Sequence, residues 1–278
     1  MRCSSSLATL VAILVAASVR SETYSNGDLV THAGVGAGGA DVSAISADSR
    51  GPRFGFNANG LGTPPGPYFL ADDVTPSATW RLDRFHAFAF SVGATSANID
   101  RAYLCVFDGE PGAGGTIIFG SLQPGINSNR FESNRFAVTS NGRPLYRTAN
   151  VTSSATNTQR RIQDVSIEIA SEVILQPGRT YWFAWALGVS TNPSALLESP
   201  PLAGNRGGTA NGKQFFANGS PLNNGSNWGS AVLNPGNVEG TKVDFPFELE
   251  YTVVPEPGTF IALVAGLGCL ASLRRRRD

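Results

Sequence analysis

The stretch TWRLDRFHAFAFSV, Thr79–Val92, decides the fold class. Trp80, Leu82, Phe88, Phe90 and Val92 share one parity, while Phe85, Ala87 and Ala89 share the other. Successive side chains of a strand point to opposite faces of its sheet. Apolar residues on both parities therefore describe a central strand covered on both sides, or a sandwich strand lying beneath loops.

Comparable segments lie on either side of it. The signals for strands begin at YFLADDV, after an irregular or short-stranded opening over residues 24–66. IDRAYLCVFDG (Ile99–Gly109) is an apolar run that closes on Asp108-Gly109, a strong turn signal. GTIIFGS (Gly115–Ser121) is a short strand after the loop GEPGAGG. RRIQDVSIEIAS (Arg160–Ser171) sets Val165, Ile167 and Ile169 against Asp164, Ser166 and Glu168, which predicts one buried and one wet face.

VILQPGRTYWFAWALGV (Val173–Val189) gives two extended runs broken at Pro177-Gly178, with Tyr181, Phe183, Trp185 and Leu187 on one face. In TKVDFPFELEYTVV (Thr241–Val254), Val243, Phe245, Phe247, Leu249, Tyr251 and Val253 alternate with polar residues and Pro246. Proline cannot donate to a ladder, so this strand is expected at an edge or with a bulge. Gln123–Asn134 and Pro193–Gly212 are expected as surface loops. The sum is an all-β chain, a two-sheet antiparallel β-sandwich with a jelly-roll-like topology preferred.

Composition agrees. The 278 residues are 41% hydrophobic and only 15% charged, with 32 Gly and 17 Pro, which suits many turns and few helical surfaces. Residues 22–254 carry 15 Arg and Lys against 19 Asp and Glu, a net charge of −4. Such a domain lacks the basic footprint of nucleic-acid binding.

The chain starts MRCSSSLATLVAILVAASVRSETYS, with Arg2, an apolar run over Leu7–Val19, and small residues at Ala16, Ala17, Ser18 and Ser21. That is the layout of a secretory signal peptide, assigned to residues 1–21 and cut after Ser18 or Ser21. Residues 22–254 are then the extracellular domain. Of the three cysteines, Cys3 lies in the leader, Cys269 in the C-terminal apolar run, and only Cys105 in the body. The domain must be stable through its core rather than a disulfide, and Cys105 reads as a buried, inert thiol.

Motifs for chemistry are sparse. GVGAGG (Gly34–Gly39) matches a dinucleotide fingerprint in letters but lacks the strand before and the helix after it, and reads as a loop. The two histidines, His32 and His86, have no zinc-ligand spacing, and no G-x-S-x-G elbow occurs. Neither a catalytic residue nor a metal site is assigned and no cofactor is expected. Calcium is the one cation considered, through Asp72, Asp73, Asp100 and Asp108 near strand ends. Of the four tryptophans, Trp80, Trp182 and Trp185 fall in apolar strands. Trp228, in the polar loop NNGSNWGSA, is the candidate ligand-binding aromatic.

The C-terminus reads VPEPGTFIALVAGLGCLASLRRRRD. Pro255, Glu256 and Pro257 precede an apolar run of 16 residues, 258–273, and then Arg274, Arg275, Arg276 and Arg277. As a single transmembrane helix that run spans about 24 Å, short for a permanent anchor. The arginines stay on the cytoplasmic side and stop transfer.

These three parts in order, over 255–278, resemble the PEP-CTERM sorting signal of bacterial exosortase substrates. The resemblance implies export in a Gram-negative-type bacterium and processing at Pro255-Glu256-Pro257 by an exosortase, a transient partner that is a membrane-embedded, cysteine transpeptidase-like protease. It further implies a transient inner-membrane intermediate and delivery to the cell surface, outer envelope or exopolysaccharide matrix. FLADDV, DGEPGAGG and LQPGRTYWFAW are also similar to segments of β-sandwich ectodomains joined to this signal. The expected function is that of an exported, non-enzymatic surface or matrix protein associated with exopolysaccharide or the envelope. The alternatives are a lectin-like polysaccharide-binding module and, third, a secreted hydrolase.

Overall fold

The computed structural model describes residues 21–44, 55–61, 67–149, 151, 153–169, 172–200, 210–216, 227–231 and 242–255. The leader up to residue 20, Glu256, Pro257, the apolar run and the four arginines lie outside the described residues. Among the described residues no helix is long and apolar enough to cross a membrane.

The chain is all-β. Its first strands are β1 (Ser21–Ser25), β2 (Asp41–Ala44), β3 (Phe56–Asn57), β4 (Tyr68–Val74), β5 (Trp80–Ser91) and β6 (Arg101–Asp108). Next come β7 (Thr116–Phe119), β8 (Phe131–Phe136), β9 (Leu145–Thr148), β10 (Gln163–Glu168) and β11 (Ile174–Leu175). The last are β12 (Tyr181–Gly188), β13 (Leu197–Ser199), β14 (Lys213–Phe216), β15 (Trp228–Ser230) and β16 (Phe247–Val253).

Two antiparallel sheets share one core. An eight-stranded sheet runs β1-β16-β5-β10-β8, with β11 and β13 also paired to β5, and β3 to β13. A six-stranded sheet runs β15-β14-β4-β12-β6-β7. Between them Phe85 stacks on Phe183 at 5.6 Å and on Phe247 at 5.3 Å, and Trp185 meets Phe85 at 5.2 Å. All four rings are fully buried. A small parallel pair, β2 with β9, is a third sheet. Near it Phe88, Ala137, Leu145 and Ile162 form a separate apolar cluster, with Leu29 and Val30 against it.

The parity pattern of Thr79–Val92 has a more specific cause than two covered faces. On β5, Leu82 pairs with Tyr251 and Arg84 with Glu250, so Asp83 is an extra residue, a bulge. It switches the phase of the strand. Trp80 and Leu82 before it, and Phe85, Ala87 and Ala89 after it, all enter the one main core. Phe88 then points outward into the cluster that contains Leu145, and Val92 ends exposed.

The other strand expectations divide. β12 is buried along its whole length. Tyr181, Phe183, Trp185 and Leu187 face the main core, and Trp182, Ala184 and Ala186 a second cluster with Phe69, Tyr103, Cys105 and Phe107. Pro177-Gly178 does break the two runs, and it also carries the chain from one sheet to the other. Its turn is held where the Gly178 N–H donates to the Pro76 carbonyl at 2.9 Å. Gly178, at φ 73°, adopts the left-handed region this turn needs.

Three expectations are corrected. β16 is not an edge strand, because β1 and β5 flank it. Pro246 sits one residue before β16, outside the ladder, and the bulge lies on β5. The expected loops hold strands: β8 takes Phe131–Phe136 and β13 takes Leu197–Ser199. Their side chains alternate weakly, so pairing with β10 and with β3 and β5, not local pattern, makes them strands.

Cys105 is a free, buried thiol whose pKa burial pushes up to about 12, so it is not a nucleophile at neutral pH. Phe85→Ala should cost about 3–5 kcal/mol in urea unfolding, the usual result of deleting a fully buried ring. Reductant should leave the wild-type transition unmoved. A loss within error for Phe85→Ala would place the centre of the core elsewhere.

Candidate functional site

The outer face of the eight-stranded sheet is where the described residues concentrate interacting charge. Core-facing Phe85, Val165, Ile167, Phe247 and Leu249 alternate with outward residues, so β5, β10 and β16 present Arg84, His86, Asp164, Ser166, Glu248 and Glu250 together. In register, His86 lies opposite Ser166 and Glu248, and Arg84 opposite Glu168 and Glu250. A bulge on β8 adds one residue, Glu132, between Phe131, opposite Ile167, and Ser133, opposite Ser166.

The contacts form one chain of ion pairs. His86 Nδ1 is 2.8 Å from Asp164 Oδ1, and Nε2 is 3.3 Å from Glu250 Oε1. Arg84 grips Glu132 through Nε at 2.6 Å and its second terminal nitrogen at 2.9 Å, and reaches Glu250 Oε2 at 3.0 Å. Arg135 donates twice to Asp164 Oδ2, at 3.0 and 2.8 Å. The Ser166 hydroxyl donates to Glu132 at 2.7 Å. A depression of about 270 Å³ lies over this network. A larger one of about 520 Å³ adjoins it, with Arg84 and Glu250 in both linings.

Burial opposes the charge on His86, yet Asp164 and Glu250 outweigh it and raise its pKa. Burial likewise works to raise Asp164, but His86 and Arg135 hold it below the usual range. Arg84, then Ser166, keep Glu132 low. Desolvation raises Glu248. Each carboxylate of the chain, Asp164, Glu132 and Glu250, thus faces Arg84, Arg135 or His86. The Asp164–His86 pair suggests a charge-relay arrangement, but Ser166 points its proton at Glu132 and both imidazole nitrogens face carboxylates. No described nucleophile is aligned on that histidine.

The residues singled out from sequence go to other places. Trp228 is not in a loop: it opens β15, half-buried, edge-on to Phe107 at 5.9 Å and tilted against Phe215 at 5.2 Å. Asp72 and Asp73 come together with Asp244, which sequence reasoning did not single out. Asp72 accepts from the Phe245 N–H at 2.5 Å and the Asp73 N–H at 2.8 Å, and burial, then Asp244, raises its pKa well above the carboxylate range. Asp100 accepts from Ser190, and Asp108 pairs with Arg179. The four aspartates do not converge, and among the described residues no group of three or more His, Cys, Asp or Glu is arranged for a metal. Gly34–Gly39 is a turn ending in one 3-10 turn at Ala37–Gly39, with Gly34 N–H bound to Asp41 at 2.7 Å. Pro255 is exposed, two residues beyond β16.

The network was missed because its charges sit on separate strands. RLDRFH, QDVSIE and FELEY each show outward charge, but only the register joins them. No protein-family model, curated protein or solved structure matches the chain.

These shifts fix a pH dependence. The raised His86 contributes stability fully below its unfolded value, and that contribution is lost as pH rises through its folded value. The lowered Asp164 and Glu132 contribute above their unfolded values and lose it as pH falls. The network is therefore strongest between about pH 4.3 and 6.5. Urea midpoints should decline from pH 6 to pH 8, and His86→Gln should remove that part of the decline. An unchanged slope in the variant would contradict the assignment.

Proposed function

We propose that the chain is an exported, non-enzymatic β-sandwich protein, sorted by a C-terminal signal that an exosortase processes, and held at the cell surface or in exopolysaccharide. The observation that carries this reading is the order of Pro255-Glu256-Pro257, the apolar run 258–273 and Arg274 to Arg277, immediately after the last strand. The last described strand ends at Val253, two residues before Pro255, which suits a domain followed by a removable tail. The leader at residues 1–21 supplies export on this reading, with one qualification: Ser21 is already paired with Thr252, so a cut after Ser18 preserves β1 whole.

The non-enzymatic part is supported by the paired charges around His86 and by the inert Cys105. The jelly-roll-like part is supported by the way consecutive strands change sheet: β4, β6, β12 and β14 lie in one, β5, β10, β13 and β16 in the other.

A second, lectin-like reading has one observation in its favour. Phe107 and Phe215 brace Trp228 while leaving it partly exposed, a pre-set apolar surface for a sugar ring. On this reading Trp228→Ala releases the protein from the host's exopolysaccharide and Trp228→Phe keeps much of the retention. Equal retention in wild type and Trp228→Ala would remove it.

Intact mass of the protein recovered from culture tests the main reading. The mature chain should lack both the leader and everything beyond the Pro-Glu-Pro segment. Glu256→Ala should leave uncut chain in the membrane, and neutral residues at Arg274, Arg275, Arg276 and Arg277 should let uncut chain escape. Normal yields of tail-free protein from both variants would refute the sorting assignment.

A further inference from the structure

The end of β16 lies directly beside the first residues of the sorting motif. β16 is paired up to Val253, which lies opposite Trp80. One residue further, the Val254 N–H donates to the Thr79 carbonyl at 2.9 Å. Behind this end Trp80 stacks on Tyr251 at 4.0 Å, and Val253 packs against the main core. Glu256 follows Val254 by two residues, at most about 7 Å along an extended chain. A protease that reads an extended peptide uses the backbone groups on both sides of the residue it recognises. While it is held against Thr79, the Val254 backbone cannot also lie in a protease's cleft.

We infer that the C-terminal end of β16 is a latch on tail processing: Val253 and Val254 must peel from Trp80 and Thr79 before the protease can seat the Pro-Glu-Pro segment. The inference rests on the sorting reading above. The latch makes removal of the tail depend on a local opening of the folded domain. Strand ends open at far lower cost than the core, so the step is feasible without global unfolding. It also orders events: only a domain whose β16 has docked on β5 presents the latched, slowly cut form, and an undocked chain presents the free form.

The test is a pulse-chase of tail removal in the producing cell, with the full chain and two variants. One carries Gly-Ser-Gly-Ser between Val254 and Pro255, which supplies free backbone while β16 stays paired. The other is Val254→Pro, which deletes the N–H that Thr79 receives and adds no length. Both should be processed roughly tenfold faster than wild type, the factor expected when one or two hydrogen bonds of ordinary net worth need not open. Glu256→Ala added to either should abolish the cut.

A faster spacer variant with an unchanged Val254→Pro would show that reach from the domain is limiting, and would overturn the latch. Equal rates in all three would overturn it too, leaving the sorting reading intact. No tail removal in any of them would defeat both. Hydrogen exchange on the full-length chain gives an answer independent of processing. The Val254 amide should be protected relative to an unstructured peptide, and exchange at the free rate would mean that no latch exists.

Discussion

The extra residue at Asp83 is the constraint on which the sandwich depends. A strand of twelve residues in strict alternation would send Trp80 and Leu82 to one face and Phe85, Ala87 and Ala89 to the other. One added residue puts all five against the opposing sheet. The same shift turns Arg84 and His86 outward beside Glu250 and Asp164. Apolar core and polar lattice are thus two results of one irregularity, and β5, paired to β16, β10, β11 and β13, distributes it through the sheet.

The polar lattice costs the sheet less than its charge suggests. Its charged side chains are only partly desolvated, with His86 and Asp164 at 13% and 11% side-chain exposure. The Arg84 pairs, in which 44% of the Arg84 side chain is exposed, contribute little individually. Their joint effect is better described as register selection. A slip of β10 or β16 by one residue would bring Val165, Leu249 or Phe247 to the wet face and place Asp164 or Glu250 in the core.

Strands with a strong pattern were legible from sequence: YFLADDV is β4, and the runs around Leu104, Ile117, Val165, Trp185 and Leu249 are β6, β7, β10, β12 and β16. Short polar strands were not. SETYS, FESNRF, LES and WGS become β1, β8, β13 and β15 only because a partner strand offers its edge. Pairing between distant segments leaves no local trace. For the same reason Asp244 could not be joined to Asp72, nor Glu132 to Arg84. The phase switch on β5 was visible as apolar residues on both parities, but the cause, a bulge, needed the partner's register.

The antiparallel pairing of β1 with β16 has a mechanical consequence. Ser21 lies opposite Thr252, so the chain enters and leaves the sandwich side by side at one end. Tension applied between those two points would pull the pair apart bond by bond, like a zipper, instead of loading all its hydrogen bonds in shear. A load carried through one terminus and the body of the sandwich would bypass that weak geometry. The domain should therefore yield more readily to a load between its two ends than to one between an end and its body.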